Sequence, residues 1–144
     1  MKRLHIHISV DDLDRSVQFY TILFGTKPSV EKSDYAKWVI DNPQVNLAVS
    51  KRGHKPGIDH LGIQVESKEE LEQIAHNLRQ AHQQIVEEKK TTCCYAKSDK
   101  AWVHDPQGIY CIYWETFLTH GSSTIYGESL DISQQKMQAS ACCG

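Results

Sequence analysis

Two segments of the chain repeat one another, and this repeat constrains the fold more than any other feature of the sequence. Residues 5–10 (HIHISV) match residues 60–65 (HLGIQV) at an offset of 55 residues. Residues 38–44 (WVIDNPQ) match residues 102–107 (WVHDPQ) in the same order along the chain. An internal repeat indicates that each copy is one supersecondary unit and that the two copies pack together.

Each copy carries the same series of predicted elements. In the first, apolar residues alternate over 4–10, which is typical of a strand, and helical spacing over 15–24 ends at Gly25. An Asp before that run caps the helix, and Asn42-Pro43 forms a turn between two further strands. In the second, Ser67 with Glu70 forms a capping-box pattern ahead of a helix. The remaining predicted strands cover 35–40, 45–49, 58–65, 85–92, 101–104 and 109–117, with an edge strand or loop in 26–34.

The predicted fold class is therefore α+β, with two tandem βαβββ modules that form a shared metal-binding cleft. Module 1 covers about residues 1–52 and module 2 about 57–118, and together they make one domain over 1–118. Residues 119–144 are rich in Ser, Gly and Gln, which is typical of a flexible tail. This tail ends in Cys142-Cys143-Gly144.

Composition and charge exclude several classes of partner. The 144 residues carry a net charge of −2 without a basic cluster, so binding to nucleic acid or to an anionic membrane is not expected. No apolar run approaches the roughly 20 residues of a membrane span, and the N-terminus has no secretion signal, so a cytoplasmic location is expected. Since one chain holds both modules, the site needs no second subunit, and either a monomer or a homodimer is compatible with the sequence.

Three side chains are the candidate metal ligands. His5 and His60 occupy equivalent positions in the two repeats, and Glu115 lies in the last predicted strand. Two imidazoles and one carboxylate suit Fe(II) in oxygen chemistry, and the same set also binds Zn, Mn or Ni. His7 is a rival because it faces the same side of the strand as His5. The repeat favours His5, since His60 aligns with it whereas Gly62 aligns with His7.

The first module offers no fourth ligand of this kind. Residues 50–52 (SKR), which align with the region of Glu115, contain no carboxylate. Three protein ligands leave open coordination positions for a substrate or for dioxygen. His104 is a weaker candidate, interpreted as a pocket or surface residue.

Four of the five cysteines form two adjacent pairs, Cys93-Cys94 and Cys142-Cys143. Without a secretion signal these are expected to be reduced thiols. Adjacent thiols placed on a loop at the mouth of the cleft can together bind a soft centre such as trivalent arsenic, Cd or Hg. The alternative is a pair of small buried apolar side chains, which is the usual role of free cysteine. Cys111 alternates with apolar residues in a strand and is interpreted as packing.

The sequence resembles a known superfamily over about residues 1–118. The resemblance rests on HxHISVDDLDRSVQFYxxLFG at residues 5–25, on DHLGI at 59–63 and on the strand with Glu115. These residues resemble the vicinal oxygen chelate superfamily, which includes glyoxalase I, bleomycin resistance proteins and extradiol dioxygenases. Within it, YAKW at 35–38 and TTCCYAK at 91–97, followed by DKxWV, resemble the organoarsenical carbon–arsenic lyases and the cadmium-induced proteins.

The resemblance implies an Fe(II)-dependent dioxygenase that uses dioxygen to cleave trivalent methyl- or aryl-arsenicals to inorganic arsenite. It implies that Cys93 and Cys94 hold the arsenic, and that His5, His60 and Glu115 hold the iron. Some lyases of this group carry Gln at the first metal position, where this chain has His5. The terminal cysteine pair has no role that the resemblance transfers.

Two other functions are also compatible with the sequence. One is another glyoxalase-type metalloenzyme, which leaves the adjacent thiols without a use. The other is a non-catalytic protein that sequesters cadmium or arsenite through its thiols, or a bleomycin-like drug in its cleft. The residues Tyr95, Lys97 and Lys100 are interpreted as ordinary loop residues, with a role in moving a proton as the alternative.

Overall fold

The computed structural model describes residues 2–93 and 96–116, with the backbone alone at 89–93, 96–98 and 113–116. Ten elements follow one another in this part of the chain. They are β1 (Arg3–Ser9), α1 (Leu13–Phe24), β2 (Val30–Lys32), β3 (Tyr35–Asp41), β4 (Gln44–Ser50), β5 (Gly57–Val65), α2 (Lys68–Gln80), β6 (Val86–Cys93), β7 (Ala96–His104) and β8 (Tyr110–Thr116).

All eight strands form one sheet in the order β2-β3-β4-β1-β5-β8-β7-β6. The two modules meet at its centre, where β1 pairs antiparallel with β5. Within each module the first strand pairs in parallel with the last, β1 with β4 and β5 with β8. This arrangement confirms the predicted α+β class and the two βαβββ modules, and it brings the two repeated strands side by side.

The first helix is fixed by its two ends and by one apolar face. The side chain of Asp12 accepts a hydrogen bond from the backbone N–H of Arg15, and Gly25 ends the helix in the left-handed conformation. Its inward residues pack on the side of the sheet that carries Trp38. This apolar cluster contains Leu13, Val17, Tyr20, Phe24, Ile6, Ile8, Leu47 and Val49. Burial of this face anchors α1 to β1, β3 and β4.

The second helix begins after Ser67, the predicted capping residue. The hydroxyl of Ser67 accepts from the backbone N–H of Glu70 at 3.2 Å. Ala75 packs against Ala101 of β7, together with Leu71, Ile74, Leu78 and Ile85. Among the described residues, neither helix is long and apolar enough to cross a membrane.

The opposite face of the central strands is polar and nevertheless buried. Because side chains alternate along a strand, the residues between the apolar positions of β1 point away from α1. The buried polar side chains on β1, β4 and β5 are His5, His7, Ser9, Asn46, Ser50 and His60. Buried polar groups in this number need partners, and they gather where the two modules meet.

Several sequence-based placements differ from the structure. Trp38 and Trp102 were matched by the repeat, yet Trp38 packs under α1 while the ring of Trp102 lies 5.4 Å from that of His60, on the other face. Cys93 is the last residue of β6 and not a loop residue, because β6 continues one residue further than predicted. Lys100, interpreted as a loop residue, is a buried residue of β7. The predicted tail lies outside the described residues.

Candidate metal centre

Three buried histidines from the two central strands converge on the polar face. His5 and His7 are alternate residues of β1, and His60 of β5 lies directly across from His7 in the antiparallel register. His5 lies across from Gly62, which has no side chain. Gly62 therefore adds no side chain to the diagonal between His5 and His60, and imidazoles are long enough to meet along it.

The two predicted histidines face one another through the same ring atom. The Nε2 atoms of His5 and His60 are 3.1 Å apart. The Nδ1–H of His5 donates to the backbone carbonyl of Asn46 at 3.0 Å, and the Nδ1–H of His60 donates to a carboxylate oxygen of Asp59 at 2.7 Å. In neutral rings with Nδ1 protonated, both Nε2 atoms carry lone pairs. Two lone pairs directed at each other are stable only with a proton or a cation between them.

Asp59 is positioned by an irregularity in the sheet. The register between β1 and β5 shifts at His7/Ile8, which leaves Asp59 without a partner in β1. Such a bulge allows two adjacent residues to turn toward the same side of a strand. Asp59 thereby reaches both His60 and His54. Burial by itself would raise the pKa of this carboxyl group, but its hydrogen bond from His60, the positive charge of His7 and the contact with His54 lower that pKa to about 2.

His7 is the most deeply buried of the three histidines, with 1% of its surface exposed. Its Nε2 lies 2.8 Å from the hydroxyl of Ser50. Its ring centroid lies 4.7 Å from that of His60 and 6.3 Å from that of His5. His7 is thus part of the same cluster, as its position on the same strand face predicts.

The donor set fits a divalent cation. One nitrogen from each of His5, His7 and His60 lies within 4.8 Å of the others. Two nitrogens held about 2.1 Å from one cation are about 3.0–3.4 Å apart at octahedral or tetrahedral angles, which the separation between His5 and His60 matches. Partners for the outer ring nitrogens are typical of metal sites, where they fix the tautomer. The buried Oδ1 of Asn46, beside His5, has no hydrogen-bond partner in the described part of the chain, which suits a bound water or ion.

Module 2 closes one side of the cluster. The ring of Trp102 stands edge-on to His60, and its Nε1–H donates to Glu88 at 3.3 Å. Two residues before Trp102 lies Lys100, which is 7% exposed. His104, interpreted from the sequence as a pocket or surface residue, is exposed, and its ring packs against that of Tyr110 with 4.3 Å between the centroids.

Only the backbone is described for Glu115, the third predicted ligand. Glu115 lies in register with Val65 of β5 and Asp99 of β7. His60 is in register with Tyr110, five residues earlier in β8, so the Cα atoms of Glu115 and His60 are about 16 Å apart along the sheet at 3.3 Å per residue. The described pairing does not bring these two backbones together. The side chain of Glu115 lies outside the described set, and its role as a ligand stays a prediction.

The predicted arsenic-binding residues are described in part. The backbone of Cys93 pairs with that of Ala96 at the end of the β6–β7 hairpin. Cys94 and Tyr95 lie outside the described residues, as do Cys142 and Cys143. Lys97 pairs with Thr92 in the same hairpin, and its side chain is not described.

Sequence reasoning missed Asp59 as a partner of His60, although the two residues are adjacent in the chain. A carboxylate directly before a ligand candidate is normally on the opposite face of a strand, so the Asp59-His60 dipeptide did not suggest contact. Only the bulge brings the two side chains together, and nothing in the residue types marks a bulge at this point.

We expect Asp59→Asn to weaken metal binding about 10- to 100-fold without unfolding the protein. The amide removes the negative charge that orients His60 and raises the basicity of its Nε2. The measurement is competition for Co(II) with a chromogenic chelator. Asp41→Asn, which removes only an exposed ion pair with Arg3, serves as the matched control and should leave affinity unchanged. Equal affinity in the two variants would contradict a supporting role for Asp59.

The chain matches one family of proteins over most of its length. A family profile described as Glyoxalase/Bleomycin resistance protein/Dioxygenase superfamily matches residues 2–111. A protein of Bacillus sp. (strain MD1) named trivalent organoarsenical cleaving enzyme is 36% identical over 148 residues, covering 99% of this chain and 91% of that protein. The cadmium-induced protein CadI of Mycobacterium tuberculosis (strain ATCC 25618 / H37Rv) is 32% identical over 147 residues, covering 99% and 93%.

Solved structures resemble the fold. A Mn(II)-bound glyoxalase from Novosphingobium aromaticivorans superposes with a TM-score of 0.60 at 16% identity, over 80% of this chain and 40% of that one. An extradiol ring-cleaving dioxygenase from B. fuscum superposes with a TM-score of 0.59 at 19% identity, over 79% and 32%. At this identity the likeness concerns the fold alone.

Proposed function

The chain belongs to the Glyoxalase/Bleomycin resistance protein/Dioxygenase superfamily, and from that premise we propose that it cleaves the carbon–arsenic bond of trivalent organoarsenicals and releases inorganic arsenite. The observation that carries the proposal is the pair of facing Nε2 atoms of His5 and His60, a ready pair of metal ligands at the junction of the two modules. Relatives named as organoarsenical cleaving enzymes, at 33–36% identity over 99% of the chain, support the substrate class.

The metal in this proposal is Fe(II), with Mn, Ni and Zn as the other cations that the donor set accepts. The proposed ligands are His5, His60 and Glu115. Fe(II), when bound, would supply the electron-transfer chemistry that oxidation by dioxygen requires. The chain's own residues hold the ligands: the carbonyl of Asn46 and the carboxylate of Asp59 fix the imidazoles so that their Nε2 atoms point to one position.

Cys93 and Cys94 bind the arsenic in this proposal. Trivalent arsenic is soft and prefers thiolates, and two adjacent thiols hold it by two bonds. The gain in rate comes from proximity, because the substrate is held beside the metal and does not have to encounter it from solution. Cys93 pairs with Ala96, which lies six residues along β7 from Trp102, and the ring of Trp102 is the one beside His60. The end of the β6–β7 hairpin therefore has to approach His60 for the reaction.

The proposal places the enzyme in the cytoplasm, where thiols stay reduced. It requires no second subunit, and it is compatible with a monomer or a homodimer.

The test is speciation of arsenic after a defined reaction. The protein is loaded anaerobically with Fe(II), mixed with phenylarsenite and exposed to air. We expect inorganic arsenite only when iron and dioxygen are both present, and we expect none from Cys93→Ser or Cys94→Ser. Cys111→Ser is the matched control. Burial and the charge of Asp105 raise the pKa of the Cys111 thiol, so it is a poor thiolate and its loss should leave arsenite release unchanged.

A second candidate function is sequestration of cadmium or arsenite by the thiols without turnover. The relatives named cadmium-induced protein support it. Stoichiometric binding of phenylarsenite through Cys93 and Cys94 without arsenite release, at full iron loading, would favour sequestration and contradict cleavage.

A further inference from the structure

We propose that His54 is a positioning residue for the metal centre. From the connection between the two modules, it holds the carboxylate of Asp59 so that this carboxylate keeps its hydrogen bond with His60. We rest this inference on the proposed function for the presence of a cation, and it leaves the proposed ligands unchanged. It gives a role to a residue that lies outside both repeats.

The two histidines that face each other are held by groups of unequal rigidity. The Nδ1–H of His5 donates to the backbone carbonyl of Asn46, whose position is fixed by the pairing of β1 with β4. The Nδ1–H of His60 donates to Oδ2 of Asp59 at 2.7 Å. An aspartate side chain turns about two bonds, so it holds an imidazole in one orientation only when its second oxygen is also held.

His54 holds that second oxygen. With a pKa of about 2, Asp59 is an ionised carboxylate that can only accept hydrogen bonds. The Nδ1–H of His54 donates to its Oδ1 at 3.1 Å, and the hydroxyl of Ser9 reaches the same oxygen only at 3.5 Å, the long limit of a hydrogen bond. A neutral ring with Nδ1 protonated and an imidazolium ion both donate here, so the contact does not depend on the charge of His54.

The path of the chain between the modules brings His54 to this point. Ser9 ends β1, and it pairs with the last residue of β4 on one side and with the first residue of β5 on the other. Residues 51–56, which join β4 to β5, therefore cross the end of β1. The bulge that turns Asp59 toward the histidines lies at the same end, so His54 and Asp59 meet there.

Exposure increases from the metal centre to the surface along this series of contacts. The exposed fraction of the side chain is 6% for His60, 14% for Asp59 and 40% for His54. An ion pair with one partner this exposed contributes little to folding stability. Replacement of His54 should therefore leave the protein folded, while it frees the buried carboxylate that orients His60.

The first measurement is Co(II) affinity by chelator competition. We expect His54→Leu to weaken binding about 3- to 10-fold, less than the loss of a direct partner of a ligand, because Asp59 itself remains. His54→Asn should bind as the wild type does, since its amide N–H replaces the Nδ1–H. In an Asp59→Ala background, His54→Leu should change affinity by less than about 2-fold, because His54 acts only through Asp59. His76→Leu, which removes an exposed histidine of α2, is the control and should leave affinity unchanged.

The second measurement reports on the orientation of His60. In the Co(II)-loaded protein, its Nδ1–H gives an exchangeable, paramagnetically shifted proton NMR signal, and the hydrogen bond with Asp59 slows the exchange of this proton with water. We expect faster exchange in His54→Leu and the wild-type rate in His54→Asn. An exchange rate that is equal in all three proteins would contradict the positioning role.

The other outcomes are equally decisive. Wild-type affinity in a folded His54→Leu protein would overturn the role of His54, and so would an equal loss of affinity in the Asp59→Ala background. A His54→Asn protein as weak as His54→Leu would exclude the hydrogen bond as its basis. If His54→Leu does not fold, the same expectation applies to His54→Gln, whose amide takes the place of Nε2 and not of Nδ1.

The proposed reaction is tested separately, since no arsenical is present in these measurements. A protein that gives the expected Co(II) results but releases no arsenite would contradict the reaction alone. Arsenite release by a protein whose Co(II) affinity is unaffected in His54→Leu would uphold the reaction and overturn the role of His54. Absence of Co(II) binding by the wild type would overturn both.

Discussion

Replacement of His60 by alanine should abolish arsenite release while leaving the binding of phenylarsenite nearly intact. His60 supplies one of the two Nε2 atoms at the junction, and Asp59 is held in place by its contact with the same ring. Loss of the ring removes one ligand and leaves the carboxylate of Asp59 without that donor. Since loss of a supporting group alone costs 10- to 100-fold, loss of a ligand should lower metal affinity by more than about 100-fold.

The measurement has two readouts on the same protein. Metal content and arsenite release report on the histidines, and titration with phenylarsenite reports on Cys93 and Cys94. His104→Ala is the matched control, since its ring is exposed and contacts Tyr110. If arsenical binding falls as far as turnover in His60→Ala, the proposed separation between a metal site and a thiol site is wrong.

The centre of the fold could be predicted because the two repeated strands form it. Two strands that carry His at the same position of the repeat come first in the two βαβββ modules, and they pair at the centre of one sheet when the modules pack symmetrically. The same symmetry places His5 and His60 on one face. The helix ends were equally predictable, since Asp12, Gly25 and Ser67 act locally, within a few residues of the backbone that they cap.

Properties that depend on register were not predictable in the same way. Trp38 and Trp102 match by residue type, but in a strand a slip of one residue exchanges the two faces, and residue type does not record the register. Trp38 packs under α1 and Trp102 beside His60 as a result. The contact between Asp59 and His60 likewise depends on a bulge, which the sequence does not mark.

The same distinction applies to the candidate site, where symmetry predicts some residues and register determines the others. His5 and His60 were predicted from symmetry, and the geometry of their Nε2 atoms suits one cation. The repeat disfavours His7 because it has Gly62 at that position, although symmetry says nothing about which additional side chains enter a shared site. Residue chemistry and the predicted strand single out Glu115, but neither of these fixes the register of β8 against β5.

Replacement of Gly62 by alanine should disrupt both the sheet and the metal centre. A Cβ atom at Gly62 would overlap the backbone carbonyl oxygen of Ile112 and would lie 2.5 Å from its Cγ2. Because the nearest atom belongs to the backbone of β8, relief requires β5 and β8 to separate. Overpacking of this kind costs about 3 kcal/mol of unfolding free energy. For a chain of this size, that cost lowers Tm by roughly 10 °C.

Gly62 also lies across from His5 and two residues from His60, so separation of the strands should displace both imidazoles. We therefore expect Co(II) affinity to fall together with Tm, measured by thermal unfolding and chelator competition. Gly25→Ala is the control. Its φ of 65° makes alanine strained there, at a cost of about 1–2 kcal/mol, but a Cβ meets nothing within 4 Å, and Gly25 ends α1, which packs on the opposite face of the sheet from the histidines. It should lower Tm slightly and leave Co(II) affinity unchanged. A Gly62→Ala protein with wild-type Tm would mean that Gly62 of β5 does not pair with Ile112 of β8, and the position of Glu115 relative to His60 would then change as well.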